Sequence, residues 1–160
     1  MEIQHTLFGN IAWMLLIIIL YSRPLADIFR SRWLFILLRY RRQLGIASGV
    51  FAILHIGLYI WGNEYFFSYL SEPSFLEWNN FILWGILAFI VLLFPFLTSN
   101  TFSQRILKRR WKTLQNFSYL AFVFVGMHTW LVKEEMLFTF IPVFIWGGLW
   151  SWAYIKKKKR

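Results

Sequence analysis

The chain of 160 residues contains no cysteine. That excludes disulfides, iron–sulfur clusters and thiolate ligands or nucleophiles. Acid is scarce, with seven Asp and Glu against seventeen Lys and Arg. Charged residues make up 15% of the chain, where a soluble domain has about 25%. None of the long apolar runs holds an Asp or Glu, so a proton relay at membrane depth has no carboxylate partners. There is no G-x-G-x-x-G and no stretch for a soluble domain, which excludes a Rossmann module for NAD or FAD within the chain. The N-terminal MEIQHTLFGN lacks a basic n-region and a small-residue cleavage site, so the first apolar run is expected to stay in the mature protein. No internal repeat is evident, and the lysine tail is the one low-complexity stretch.

What is present is apolar surface. Hydrophobic residues make up 59% and aromatic residues 22%, with a mean hydropathy of +0.54. This places the chain in the membrane class. Five apolar spans stand out: Leu7–Ser22, Leu44–Trp61, Phe81–Leu97, Thr113–Val132 and Met136–Ile155. Each is near the ~20 residues needed to cross a bilayer. The expectation is an all-α integral membrane protein, residues 1–160 forming one five-helix transmembrane bundle. The net charge of +10 is distributed by face rather than spread. Residues 23–42 hold six arginines, residues 98–112 hold five basic residues, and the tail KKKKR holds five more, leaving only Lys133 elsewhere. Positive-inside bias then puts the N-terminus outside and the C-terminus inside. The basic excess is topology, and nucleic acid is not an expected partner.

Between the spans, WLFILL (Trp33–Leu38) is too short to cross, and its arginine flanks suit the cytoplasmic interface. The outer loop GNEYFFSYLSEPSFLEWNN is rich in Tyr, Phe and Trp, as segments lying along the headgroup layer are. The connection around KEE is short enough to make the last two spans antiparallel neighbours.

Two of the three histidines fall inside spans, His55 in the second and His128 in the fourth. A lone intramembrane imidazole is as often a structural hydrogen-bonding residue as a functional one. Counted from the outer ends of their spans, these two lie about 10 and 8 Å deep at 1.5 Å per residue. Matched depth on two helices suits a planar cofactor held between two axial nitrogens, as in haem. Zinc catalysis wants three protein ligands, and only two lie at this depth. Gly45, Ser48, Gly49 and Ala52 share a helix face with His55 and Tyr59, which allows close approach by a helix or a flat ring. His5 lies near the same leaflet, where it is either a third ligand or a solvated terminal residue.

RRQLGIASGVFAILHIGLYIW (41–61) resembles a segment of the ferric-reductase-like transmembrane family. There two arginines and Leu-Gly precede a helix with Leu-His and then Tyr. FPFLTSN (94–100) with RRWKTLQNFSYLAFVFVGMHTW (109–130) resembles the family's next signature, and LFGNIAW followed by SRPL echoes an earlier helix. The resemblance covers about residues 6–132 and is strongest to the branch of haem-binding subunits of periplasmic methionine sulfoxide reductases. It implies a bacterial inner-membrane cytochrome that binds haem b through His55 and His128. Electrons would pass from a cytoplasmic flavin reductase or quinol to an extracytoplasmic redox protein. That branch usually has six spans, the first of which has no counterpart here, and a histidine where this chain has Gln115. One haem is therefore expected. The cytoplasmic half of the membrane is then an unbridged stretch of roughly 20 Å, which a flavin or quinone near Arg41, Trp111 and Gln115 would close. Arg41 and Arg42 are candidates for a propionate, a flavin phosphate or an anionic lipid. The alternatives are a direct ferric or cupric reductase, and a non-redox membrane scaffold that has lost its cofactors.

Overall fold

The computed structural model describes residues 2–133 and 136–158. Every regular element among them is helical. In chain order they are α1 (Glu2–Phe29), α2 (Arg32–Arg39), α3 (Arg41–Gly62), α4 (Phe66–Tyr69), a 3-10 turn (Pro73–Leu76), α5 (Phe81–Leu97), α6 (Thr101–Leu107), α7 (Arg109–Lys133) and α8 (Met136–Lys158).

Among the described residues, two helices are long and apolar enough to cross a membrane, Gln4–Phe29 and Arg41–Gly62. A third qualifies if α5 is taken together with α6, from which it is bent by 89°. The α7 helix is 25 residues long, but Gln115, Asn116 and His128 dilute its apolar stretch. The first helix runs past the expected end at Ser22 and takes Arg23, Pro24 and Asp27 into its last turns. There Arg23 Nε meets Asp27 Oδ2 at 3.1 Å, one turn apart. Residues 134 and 135 of the KEE connection lie outside the described residues; α7 and α8 do pack on each other.

Side-chain caps fix where α5 and α6 begin. Asn80 Oδ1 accepts from the Ile82 amide at 2.9 Å, while its Nδ2 donates to Tyr69 Oη and the Phe75 carbonyl, both at 3.0 Å. One buried amide thereby ties the preceding loop to α5 and satisfies an orphan N–H of the first turn. Asn100 Oδ1 caps α6 through the Ser103 amide at 2.7 Å. The α2 helix has no buried residue, and Trp33 stands 79% exposed on it.

The long helices form two antiparallel pairs, α1 with α3 and α5 with α7, with α8 lying against α1 and α7. The fully buried core lies where α1 meets α7, around Leu16, Leu20 and Phe122. Trp13 stacks on Phe122 at 4.8 Å, and Trp146 of α8 closes the cluster from the other side. Tyr21 Oη donates to the Pro142 carbonyl, stitching α8 to α1. Towards the ends of α1 and α5 that carry His5 and Phe81, the two pairs separate around a cavity.

Candidate functional site

That cavity, of about 210 Å³, is lined from α1, α3, α5 and α7, with Phe66 of α4 at its edge. His55 and His128 border it from opposite pairs, with ring centroids 6.2 Å apart and planes at 71°. Apolar side chains, among them Ala52, Ile56, Phe89, Leu92 and Val125, form most of the wall.

Each imidazole is held through Nδ1. For His55 that atom lies 2.6 Å from the carbonyl oxygen of His5, and for His128 it lies 2.8 Å from that of Phe81. A carbonyl only accepts, so Nδ1 carries the proton in both rings and Nε2 keeps the lone pair. Metal-ligating histidines are oriented in this way, by donating their other ring N–H to a backbone carbonyl or a carboxylate. Two imidazoles on opposite sides of one metal ion, at metal–nitrogen distances of ~2.0–2.1 Å, have ring centres roughly 6 Å apart. The observed spacing meets that requirement.

The approach of each ring to its carbonyl depends on a glycine. A Cβ on Gly9 would stand 2.9 Å from His55 Nδ1, and one on Gly85 would stand 2.9 Å from His128 Nδ1. Sequence reasoning passed over both glycines and the two carbonyls. A signal was present, since Gly9 and Gly85 each follow an aromatic residue by one position and precede an alanine by three.

His5 lines the same cavity, its ring 5.8 Å from that of His55 and edge-on to Tyr59 at 5.7 Å. Its Nδ1 is buried with no hydrogen-bond partner among the described residues. His5 is therefore partly enclosed rather than solvated. The described residues contain no group of three or more His, Cys, Asp or Glu able to hold a metal ion. Two imidazole nitrogens in an apolar slot, beside one orphaned polar atom, suit a bis-imidazole haem with a polar edge.

The small stripe on α3 serves the first of its two expected uses, close approach by neighbouring helices. A Cβ on Gly49 would run into the Phe96 ring, so α5 lays that ring on bare backbone, while Gly45 has nothing within 4 Å. Phe89, Leu92, Leu93 and Phe96 crowd Gly49 and leave no appreciable room there.

Arg41, Arg42, Trp111 and Gln115 do not line the cavity. Three of them gather at the C-terminal end of α5, whose last carbonyls have no helical partners. Arg42 Nε donates to the Ser99 carbonyl at 2.7 Å and Trp111 Nε1 to the Thr98 carbonyl at 2.9 Å. Gln115 Nε2 donates to Thr98 Oγ1 at 3.0 Å and to the Pro95 carbonyl at 3.2 Å.

Residues 7–126 match the family of the ferric reductase like transmembrane component. The chain is 31% identical over 156 residues to the "Protein-methionine-sulfoxide reductase heme-binding subunit MsrQ" of Enterobacter sp. (strain 638), covering 97% of this chain and 76% of that protein. It is 35% identical over 133 residues to the proteins of the same name from Salmonella paratyphi B and Salmonella newport, covering 82% of this chain and 65% of each. The chain thus spans about two thirds to three quarters of the length of these relatives.

Proposed function

This chain belongs to the ferric reductase like transmembrane component family, and on that premise we propose that it is the haem-carrying, electron-transferring subunit of a membrane oxidoreductase. The observation that carries the reading is the pair of imidazoles whose Nδ1 protons are both taken by backbone carbonyls, leaving two Nε2 atoms at one cavity for ligation.

In this reading His55 and His128 bind one haem b through Nε2. The carbonyls of His5 and Phe81 fix the ring orientations and raise the basicity of the ligating nitrogens. The apolar wall excludes water, and His5 Nδ1 offers a hydrogen bond to the polar edge of the group. Haem, when bound, would supply one-electron transfer, while the protein would supply position, two imidazole nitrogens and a dry surrounding. The packing of Phe96 on Gly49 supports a count of one haem, because the inner half between the pairs is filled by side chains.

Residues 1–160 act as one unit, with α1, α3, α5, α7 and α8 all crossing the inner membrane, N-terminus out and C-terminus in. The relatives' name carries over as a partnership: the acceptor is an extracytoplasmic methionine sulfoxide reductase that works on the substrate itself. Electrons come from a cytoplasmic flavin or quinol donor at the basic end of α3 and α7. There Arg41 and Arg42 supply positive charge for an anionic group, and Trp111 and Gln115 hold the end of α5 that shapes the surface.

The test is a reduced-minus-oxidised absorption spectrum of purified protein, quantified as haem per chain, with His55→Ala and His128→Ala beside it. One haem per chain, lost in both variants, is the expected result. Wild-type protein that stays haem-free after expression with ample haem supply would overturn the reading.

A further inference from the structure

We infer that the α1–α3 and α5–α7 pairs are two copies of one structural unit, related by an approximate two-fold axis between His55 and His128, and that Gly9 and Gly85 are the positioning residues for the two histidines. The inference rests on the haem reading for what the imidazoles bind, but not for how they are held.

The first observation is the repeated geometry. The accepting carbonyl belongs to His5 in one half and to Phe81 in the other, and the glycine stands four residues later in each case. In an α-helix the side chain at i+4 leans back over the turn below its own Cα, which is the turn that contains carbonyl i. Any Cβ there obstructs an imidazole approaching that oxygen from a neighbouring helix. Glycine at this one register leaves the oxygen open to accept a second hydrogen bond beside its intrahelical one.

The second observation is that the same correspondence holds in deeper layers, away from the histidines. LFGNIAW (7–13) on α1 corresponds to LWGILAF (83–89) on α5. Ala12, whose carbonyl accepts from Ser48 Oγ at 3.0 Å, corresponds to Ala88, and Ser48 corresponds to Ala121; all four are buried. One layer further, Phe96 of α5 lies on Gly49 of α3. Exchanging the halves turns that contact into Leu20 of α1 against Phe122 of α7, which is the observed buried core. Likewise Trp13 stacks on Phe122 where Phe89 borders Gly49. The residue types have diverged, large ring on glycine in one half and leucine on large ring in the other. For that reason the deeper layers of the repeat do not show in the sequence, whereas the matched Leu, Gly and Ala of the outermost turns do.

The test is 15N NMR of histidine-labelled full-length chain in nanodiscs without added haem, the signals assigned with His5→Gln, His55→Gln and His128→Gln. Wild-type protein is expected to show His55 and His128 as the Nδ1–H tautomer. Gly9→Ala is expected to move only the His55 signals, and Gly85→Ala only those of His128. Gly57→Ala, on the same helix as His55 but with nothing within 4 Å of its Cβ, is expected to move neither. Alanine is the better helix former, so a loss in the first two variants cannot come from helix propensity. Haem is then added. Gly9→Ala and Gly85→Ala are expected to weaken retention by similar factors, at least about tenfold, the scale of an outer-shell partner's loss. The inference is overturned if wild-type His55 and His128 carry the proton on Nε2, or if Gly9→Ala leaves the His55 signals in place. It stands, and the haem reading falls, if the tautomer pattern holds but no variant, wild type included, takes up haem.

Discussion

Phe96 and Gly49 touch ring to backbone: the space a Cβ would occupy on Gly49 is already taken by the Phe96 ring. Replacing Gly49 with alanine overpacks this layer, at a cost of about 1–3 kcal/mol. The double variant Gly49→Ala/Phe96→Leu is expected to recover most of it. Thermal unfolding in detergent, read as a double-mutant cycle, measures the coupling; additive losses would mean that the two residues do not share the space.

Gln115 is expected to act on stability and not on cofactor content. Gln115→Leu removes a donor to the Thr98 hydroxyl and the Pro95 carbonyl, which keep their bonds to the Phe94 carbonyl and the Ser99 hydroxyl, so the loss is about 0.5–1.5 kcal/mol. The unfolding midpoint falls and the haem-to-chain ratio stays at the wild-type value. A lower ratio in folded protein would instead make Gln115 part of the cofactor site.

Tyr21 and Pro142 form the hydrogen bond that fastens α8 to α1. Removing the hydroxyl in Tyr21→Phe is expected to cost about 0.6–2 kcal/mol, the range for interhelical hydrogen bonds in membranes. The absorption spectrum should be unchanged, because α8 contributes no residue to the cavity wall. Protease susceptibility of α8 in micelles reports its loosening.

Ser48 is expected to tolerate alanine. The matching position in the other pair is Ala121, fully buried, so Ser48→Ala makes one half resemble the other. The loss of its bond to the Ala12 carbonyl costs less than about 1 kcal/mol, since that oxygen keeps its own helical partner. Ser48→Leu is expected to prevent close packing of α1 on α3 and to lower the unfolding midpoint sharply.

The helices were legible where an apolar run was bounded by polar residues. The run Phe81–Leu97 matches α5 to the residue, and in the structure Asn80 caps its start and Thr98 ends it. The end of α1 could not be read, since Arg23, Pro24 and Asp27 look like loop in sequence and are held helical by an ion pair and by burial of Pro24. The depth argument brought His55 and His128 to one level, and their rings stand across one cavity. What holds the rings was harder to read: a backbone carbonyl has no letter in the sequence, and the glycine that exposes it is marked only by an aromatic residue before it and an alanine three positions after it. Trp111 and Gln115 illustrate the reverse case, polar groups at the right end of the right helix whose hydrogen bonds close the end of α5.

The division of the ligands between two helix pairs bears on how the chain is made. During synthesis α3 emerges before α5 and α7, so a chain interrupted after the first pair presents one imidazole and half a slot. On the proposed ligation, firm capture of the pigment waits for the second pair to insert and dock. Colour in a membrane preparation then counts finished molecules, and truncated or misinserted products stay pale.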